Sequence, residues 1–193
     1  MPILPGRRLG PHEILNAIGA CGMGEVYKAR DTRLDRIVAI KILPAHLADR
    51  AELRERFDRE ARTIVSLNHP HICTLYDTGH QDGIDYLVME YLEGETLAQR
   101  LLKGALLIEQ VLQYAIEIAN ALDKAHRKGM THRDLKPGNI MITKTGTKLL
   151  DFGSAKPKQE VSPANVPLSE LPTAIDALTA QGTIVGTLQY MAP

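Results

Sequence analysis

The sequence is poor in aromatic residues and cysteine, and it has no excess of charge of either sign. It contains no tryptophan, and an aromatic content of 4% argues against the stacking surfaces that bind single-stranded nucleic acids. Lysine and arginine (23) balance aspartate and glutamate (23), so no basic surface for nucleic acid is indicated. The two cysteines, Cys21 and Cys73, are too few for a disulfide framework and are typical of a reducing compartment.

Long apolar runs are also missing. No segment reaches the roughly 20 apolar residues that a membrane-spanning helix needs. Residues 1–8 lack the apolar core of a signal peptide. We therefore expect a cytoplasmic protein, with a membrane anchor after Pro193 left open. The hydrophobic content of 44% and the charged content of 24% are those of a folded globular domain.

The order of the periodic segments predicts a small β-rich part followed by a helical part. Strands are predicted over residues 13–18, 25–30, 37–43, 72–77 and 85–91. Helices are predicted over residues 50–67, 96–102 and 108–128. The apolar face of the last helix is expected at Val111, Leu112, Ala115, Ile118, Ala119 and Leu122. Two short strands, 140–143 and 148–150, precede a proline-interrupted loop over residues 154–182.

A glycine cluster, Gly-Ala-Cys-Gly-Met-Gly over residues 19–24, lies between the first two predicted strands. Tight hairpins use glycine in general, so a plain hairpin and a hairpin that covers phosphates both stay open on this motif alone. A dinucleotide-binding turn is excluded, because that motif is followed by a helix and this one is followed by a strand.

Lys41 and Glu60 each interrupt an apolar pattern. Lys41 lies in the middle of the apolar strand over residues 37–43, where a buried charge is costly unless it is paired. An edge lysine that reaches water is the alternative interpretation. Glu60 stands on the apolar stripe of the predicted helix and is the matching anomaly. Together they favour a buried ion pair, and Ala39 on the same strand face leaves room for a planar ring.

Two polar segments in the second half of the chain are candidates for chemistry. Residues 132–139, His-Arg-Asp-Leu-Lys-Pro-Gly-Asn, supply an acid, a base and an amide. A solvated turn is the ordinary interpretation of such a cluster. Against it stands Asp151-Phe152-Gly153, which follows an apolar strand. Two acids and an asparagine from neighbouring loops form an oxygen-ligand set suited to Mg²⁺.

Taken in this order, the glycine cluster, Val38 to Lys41, residues 132–139 and residues 151–153 resemble the motifs of a protein kinase domain. Met23 to Tyr27 and Met191 to Pro193 are similar to the bacterial Ser/Thr kinases of eukaryotic type. The resemblance implies an α+β, bilobal fold with an antiparallel five-stranded N-lobe that carries one helix. The N-lobe and hinge would cover about residues 9–92, and residues 93–193 would be the first part of a helical C-lobe, ending in the activation segment.

The same resemblance implies ATP and Mg²⁺ as cofactors and a role for each matching residue. Asp134 would accept the proton of the substrate hydroxyl, and Lys136 would neutralise the γ-phosphate. Lys41, fixed by Glu60, would hold the α- and β-phosphates. Asn139 and Asp151 would hold Mg²⁺. The remaining nucleotide-binding residues would be Ile18, Gly19, Gly22, Gly24, Val26, Ala39, Met89 as the gatekeeper, Glu90, Leu92 and Met141.

The function implied is transfer of the γ-phosphoryl group of ATP to Ser or Thr of proteins in bacterial signalling. A nucleotide-binding pseudokinase that acts as a regulatory module is the alternative. The expected partners are protein substrates, with no nucleic acid. Self-association for phosphorylation in trans at Thr179 or Thr183 is also expected, because Arg133 and Lys156 would pair with a phosphorylated loop.

Two features depart from the family pattern. Cys21 stands where the second glycine is usual, which puts the affinity for ATP in question. Pro193 falls within the Ala-Pro-Glu motif, before its glutamate. We therefore expect an incomplete domain, in which the helix over residues 108–128 leaves apolar surface uncovered and the activity of residues 1–193 alone is negligible.

Overall fold

The computed structural model describes residues 3–21, 24–42, 61 and 64–151. The strands in these residues are β1 (Arg8–Leu9), β2 (His12–Cys21), β3 (Gly24–Asp31), β4 (Arg36–Ile42), β5 (Leu75–Gln81), β6 (Ile84–Glu90), β7 (Gly94–Thr96), β8 (Ile140–Thr143) and β9 (Gly146–Leu149). The helices whose two ends both lie in the described residues are α1 (Leu97–Leu102) and α2 (Ile108–Arg127). A 3₁₀ turn covers Pro137–Asn139.

Within the described residues, the first six strands form one antiparallel sheet in the order β1-β2-β3-β4-β6-β5. The predicted five-stranded sheet therefore gains a sixth strand, β1. Two residues are too short for an alternating pattern, but Leu9 is fully buried and both residues of β1 pair with β2. Burial of Leu9, worth about 1.5–3 kcal/mol for such a side chain, explains why this short segment joins the sheet.

The two faces of the six-stranded sheet have different roles. Side chains alternate between faces along a strand, and residues paired across strands share a face. Tyr27 pairs with Ile40, which pairs with Val88, and all three belong to an apolar cluster on one face. Ile3 and Leu9 from the N-terminal segment cover this cluster. The opposite face carries Lys41 and its neighbours.

A three-stranded sheet, β7-β8-β9, follows in the described residues, and α2 packs against it. The carboxylate Oε2 of Glu117 in α2 accepts hydrogen bonds from the backbone N–H (2.7 Å) and the hydroxyl (2.8 Å) of Thr147. Burial raises the pKa of Glu117, but the bonds from Thr147 and a further one from the Gln113 amide outweigh it, and the pKa lies below its ordinary value. The charged carboxylate therefore fixes α2 to β9.

The two sheets are joined by residues 71–73. The backbone N–H of Leu149 donates to the carbonyl of His71, and the N–H of Cys73 donates to the carbonyl of Leu149, both at 2.9 Å. Strand β5 accordingly starts at Leu75, three residues later than the predicted start, because Ile72 pairs with Leu149 of β9 instead. An apolar cluster that includes Leu87, Ala121, Ala125 and Leu149 fills the space between the sheets and α2.

Some predicted elements fall outside the described residues. The helix predicted over residues 50–67 is described only at its end, where Ala61, Ile64 and Val65 are helical. The loop predicted over residues 154–182 lies wholly outside. No helix of the described part of the chain is long and apolar enough to cross a membrane.

Candidate functional site

One face of the six-stranded sheet brings together four predicted nucleotide-binding residues. Val26 of β3 pairs with Lys41 of β4, and Ala39 pairs with Met89 of β6. Since Ala39 and Lys41 are two residues apart on β4, all four side chains share a face. Ala39 is buried and is the smallest of the four. Because Ala39 carries only a methyl group, it takes up less of this face than the other three side chains, as the predicted planar ring requires.

The chain between the two sheets, residues 90–94, is called the hinge below. Glu90 ends β6, where its N–H donates to the carbonyl of Thr74 at 2.9 Å. Leu92 follows outside any strand and is half-buried. Met141 of β8 pairs with Thr96 of β7, just beyond the hinge. Ile18, in β2, is 44% exposed. Strand β7, which the sequence did not predict, anchors the hinge to β8.

The glycine cluster joins β2 to β3, as the strand–turn–strand pattern predicts. Gly19 pairs with Val26, and Cys21 pairs with Gly24. Nothing lies within 4 Å of the position of a Cβ on Gly19, so the backbone there is open to a ligand. Gly24 has a φ of 131°, a backbone conformation that L side chains rarely adopt. Gly22 and the side chain of Cys21 lie outside what the structure describes.

The polar loop over residues 132–139 is folded around Asp134, whose residue exposure is 9%. The amide nitrogen of Asn139 donates to the backbone carbonyl of Asp134 (2.8 Å) and to its carboxylate Oδ2 (2.9 Å). The ammonium of Lys136 contacts the same Oδ2 at 2.8 Å. The predicted acid, base and amide are therefore in direct contact, and the solvated-turn interpretation is wrong for this buried aspartate.

Asp151 reaches back to the six-stranded sheet. Its carboxylate pairs with the ammonium of Lys41, which is almost fully buried. Asp151 adopts a positive φ of 56°, which is uncommon for a residue other than glycine and often occurs at functional sites. Glu60, the predicted partner of Lys41, lies outside the described residues, so the Lys41–Glu60 pair stays a prediction.

The oxygen donors fit a divalent cation of the kind that binds nucleotide phosphates. Asn139 uses its amide nitrogen to bind Asp134, which leaves the amide oxygen as the ligand atom. The Asp151 carboxylate, 21% exposed, supplies an anionic oxygen, and its chain neighbour Leu150 donates its N–H to the carbonyl of Asn139 at 2.9 Å. Mg²⁺ is usually held by one or two protein oxygens, with phosphates and water completing its shell. In the described residues, no group of three or more His, Cys, Asp and Glu side chains forms a dedicated metal cage.

His132 has a positioning role that the sequence did not indicate. Its Nε2 contacts the carbonyl of Leu150 at 2.8 Å, and its Nδ1 accepts the N–H of Asp134 at 3.4 Å. This pattern requires the neutral ring with its proton on Nε2. Burial lowers the pKa of His132, which favours that neutral form. The ring thus ties Asp134 to the residue before Asp151, and the only sequence signal was a histidine next to two charged residues.

Cys73 contacts the start of the hinge, and its thiol is not ionised. Its thiol contacts the carbonyl of Glu90 at 3.7 Å. Burial, with the nearby charge of Glu90, raises the pKa of Cys73 to about 12. The thiol is therefore fully protonated at neutral pH.

Comparison with known proteins places this geometry in a family. The protein kinase domain family matches residues 12–193. The serine/threonine-protein kinase PknD of Mycobacterium tuberculosis is 39% identical over 191 residues, which cover 97% of this chain and 26% of the relative. The serine/threonine-protein kinase PrkC of Bacillus subtilis is 39% identical over 196 residues, covering 99% of this chain and 28% of the relative.

Solved structures give the same result. The kinase domain of PknI from M. tuberculosis superimposes with a TM-score of 0.72 at 32% identity, covering 79% of this chain and 62% of that one. The chain spans about a quarter of the length of the curated relatives it matches. The sequence similarity, the fold and the contacts among Lys41, Asp134, Asn139 and Asp151 agree, and this chain belongs to the protein kinase domain family.

Proposed function

We propose that the protein is an ATP-dependent Ser/Thr kinase that transfers the γ-phosphoryl group to Ser or Thr hydroxyls of proteins in bacterial signalling. The observation that carries the proposal is the position of Asp134. Its carboxylate is held by Asn139 and Lys136 on a loop that His132 ties to the residue before Asp151. These contacts support the proposal that Asp134 is a base held beside the phosphates.

In the proposed reaction, the oxygen of the substrate hydroxyl attacks the γ-phosphorus while the bond between that phosphorus and the β,γ-bridging oxygen breaks. The hydroxyl proton passes to the Asp134 carboxylate, and ADP leaves with the electron pair. The Lys136 ammonium, 2.8 Å from Asp134, is placed to offset charge on the γ-phosphoryl oxygens. Such catalysis depends mainly on alignment and on positive charge around the moving group.

The chain's own residues also account for nucleotide binding. Lys41 would contact the α- and β-phosphates from the sheet face on which Val26, Ala39 and Met89 meet the adenine. The backbones of Glu90 and Leu92 would bind the adenine edge, and Ile18 and Met141 would enclose the ring from either side. The family uses ATP with a divalent metal; we propose Mg²⁺, held by Asn139 and Asp151, which would supply positive charge next to the phosphates.

Regulation and location belong to the same proposal. We propose that the protein associates with a second copy for phosphorylation at Thr179 or Thr183, both outside the described residues. Arg133, next to Asp134 and with a φ of 63°, is the residue expected to pair with that phosphate.

A cytoplasmic location is proposed from the low cysteine content alone.

The test is phosphoryl transfer by the whole protein that carries this sequence. Incubation with γ-labelled ATP, Mg²⁺ and a generic basic protein should label Ser and Thr, and omission of the metal should abolish the labelling. Mass spectrometry of the protein itself should find phosphate at Thr179 or Thr183. Nucleotide binding without any transfer would favour the pseudokinase alternative and overturn the proposal.

A further inference from the structure

A second charge pair, which is half-buried, lies between β9 and the start of the hinge. The ammonium of Lys148 is 2.8 Å from the carboxylate Oε2 of Glu90. The Lys148 side chain is 14% exposed and that of Glu90 is 24% exposed. Shielded pairs of this kind are screened less by water and salt than surface pairs, so their geometry is better defined.

Glu90 is held at both its backbone and its side chain. Its N–H donates to the carbonyl of Thr74 at 2.9 Å, and its Oε2 accepts the N–H of Thr74 at 3.2 Å. The same oxygen is the one that contacts Lys148. Without Lys148, the half-buried carboxylate of Glu90 would keep only one neutral donor in these contacts, the N–H of Thr74. Rotation of the side chain toward water would then lower the free energy of the carboxylate.

Lys148 is itself fixed in place by its strand. It pairs with Met141 across β8 and β9, and its neighbour Leu149 exchanges backbone hydrogen bonds with His71 and Cys73. Lys148 also precedes Asp151 by three residues. It therefore links a rigid strand to the residue at which the hinge begins.

We infer that Lys148 is a positioning residue for ATP: through Glu90 it holds the hinge backbone at the spacing from β8 and β9 that adenine requires. This inference rests on the proposed function, because it assigns a role within the same nucleotide site. The inferred role gives Lys148 no contact with the phosphates or the transferred group. Its loss should weaken adenine binding and leave the chemical step largely unchanged.

The experiment compares four variants of the whole protein with the parent: Lys148→Met, Lys148→Arg, Glu90→Gln and the Lys148→Met/Glu90→Gln double variant. Lys144→Met is the matched control, because Lys144 is an exposed lysine in the turn of the same hairpin. The measurements are KM for ATP, kcat, KM for a peptide substrate, the Kd of adenosine, and Tm.

Lys148→Met should raise KM for ATP and the Kd of adenosine together, by about threefold to tenfold, which lies in the lower part of the range of coupling between contacting residues. The values of kcat and of the peptide KM should stay within about twofold of the parent. Lys148→Arg should restore most of the affinity, because it keeps a cation that can reach Glu90. The double variant should be no worse than the more impaired single variant. Lys144→Met should match the parent.

Several results would overturn the positioning role. An unchanged adenosine Kd in Lys148→Met would do so, whatever happens to Tm. A fall in kcat at unchanged KM for ATP would also do so, as it would place the effect at Asp151. Additive losses in the double variant would show that Lys148 and Glu90 act separately. A parent protein that binds neither ATP nor adenosine would overturn the proposed function itself, and that outcome is distinct from the others.

Discussion

Lys41 and Asp151 are 110 residues apart in the chain, and their side chains form an ion pair between the six-stranded sheet and the end of the three-stranded sheet. Neither residue could be satisfied by its own neighbours, because Lys41 is buried in an apolar strand and Asp151 follows one. The pair fixes the distance between the cation that we propose contacts the phosphates and the carboxylate that we propose holds a metal. Formation of the site therefore depends on the packing of the two sheets against each other.

Replacement of Asp134 with Asn should separate binding from transfer. The amide keeps the shape of the side chain but cannot accept the hydroxyl proton, so kcat should fall by about 10²–10⁴-fold while the Kd for ATP stays near that of the parent. Steady-state kinetics and nucleotide titration of the whole protein measure both. Asp123→Asn is the control, because Asp123 is an exposed residue of α2 that pairs only at the surface with Arg127. Transfer at the parent rate by Asp134→Asn would show that Asp134 is not the base.

His132 should make the fold less stable in mild acid. Burial lowers its pKa in the folded state, so the unfolded chain binds the proton more readily. The stabilising contribution is fully present above the ordinary pKa of about 6.5 and is lost progressively as the pH falls below it. Urea denaturation at pH 7.5 and 5.5 should show a larger loss of the free energy of unfolding for the parent than for His132→Gln, which cannot titrate. Equal losses of this free energy in the two proteins would contradict the lowered pKa of His132.

Asp31 should stabilise the turn between β3 and β4. Its buried Oδ1 accepts the N–H groups of Arg33 (3.0 Å) and Leu34 (3.3 Å). Burial raises its pKa, but these two bonds and the nearby charge of His12 outweigh burial, and the pKa lies below its ordinary value. Asp31→Asn should lower the free energy of unfolding by about 1 kcal/mol at pH 7.

The control for Asp31 is Asp35→Asn, since Asp35 is exposed and paired with Arg30 at the surface. The higher free energy of unfolding of the parent, relative to Asp31→Asn, should be present above about pH 3.9, the ordinary pKa of an aspartate. It should disappear as the pH falls through the lowered pKa of the folded state. An advantage that persists unchanged in acid would mean that the charge of Asp31 is not what stabilises the turn.

Cys73 should resist alkylation in the folded protein. A pKa of about 12 leaves almost no thiolate at pH 8, and the thiolate is the reactive form. Its rate of reaction with iodoacetamide should be at least about a hundredfold below that in the urea-denatured chain. Peptide mass spectrometry distinguishes Cys73 from Cys21. Labelling of Cys73 in the folded protein as fast as in the denatured chain would contradict the raised pKa of this half-buried thiol.

Helix α2 should expose an apolar surface that binds dye. Ile118 and Leu122 pack against the core with buried Ala121 and Ala125, whereas Leu112 and Ile116 are 57% and 62% exposed. Residues 1–193 should therefore bind an anilinonaphthalene dye and associate, and Leu112→Lys/Ile116→Lys should reduce both. Ile118→Lys is the contrasting variant, because it should unfold the protein instead. Monodisperse residues 1–193 with no dye binding would rule out an exposed apolar surface.

The sequence by itself determined the longer elements, such as β3, β4 and α2, and the motif residues of this protein. Alternation and β-branched residues were sufficient to predict β3 and β4, because a half-buried strand needs a period of two. Helical spacing was sufficient to predict the extent of α2. The order of the polar motifs was sufficient to predict the family. Part of the predicted apolar face of α2 is uncovered, as expected: Val111 and Leu112 are exposed, whereas Ile118 packs against the core.

Tertiary structure alone decided the pairings. The contacts of Lys148 with Glu90, of Glu117 with Thr147 and of His132 with Leu150 join residues 18 to 58 positions apart. No local pattern encodes such a partner, because each charge or ring is satisfied only when two separately folded segments pack together. For the same reason Ile72 pairs with Leu149 and is not part of β5, contrary to the prediction. Backbone N–H and C=O groups form hydrogen bonds with the partners that the packing of the two sheets brings within reach.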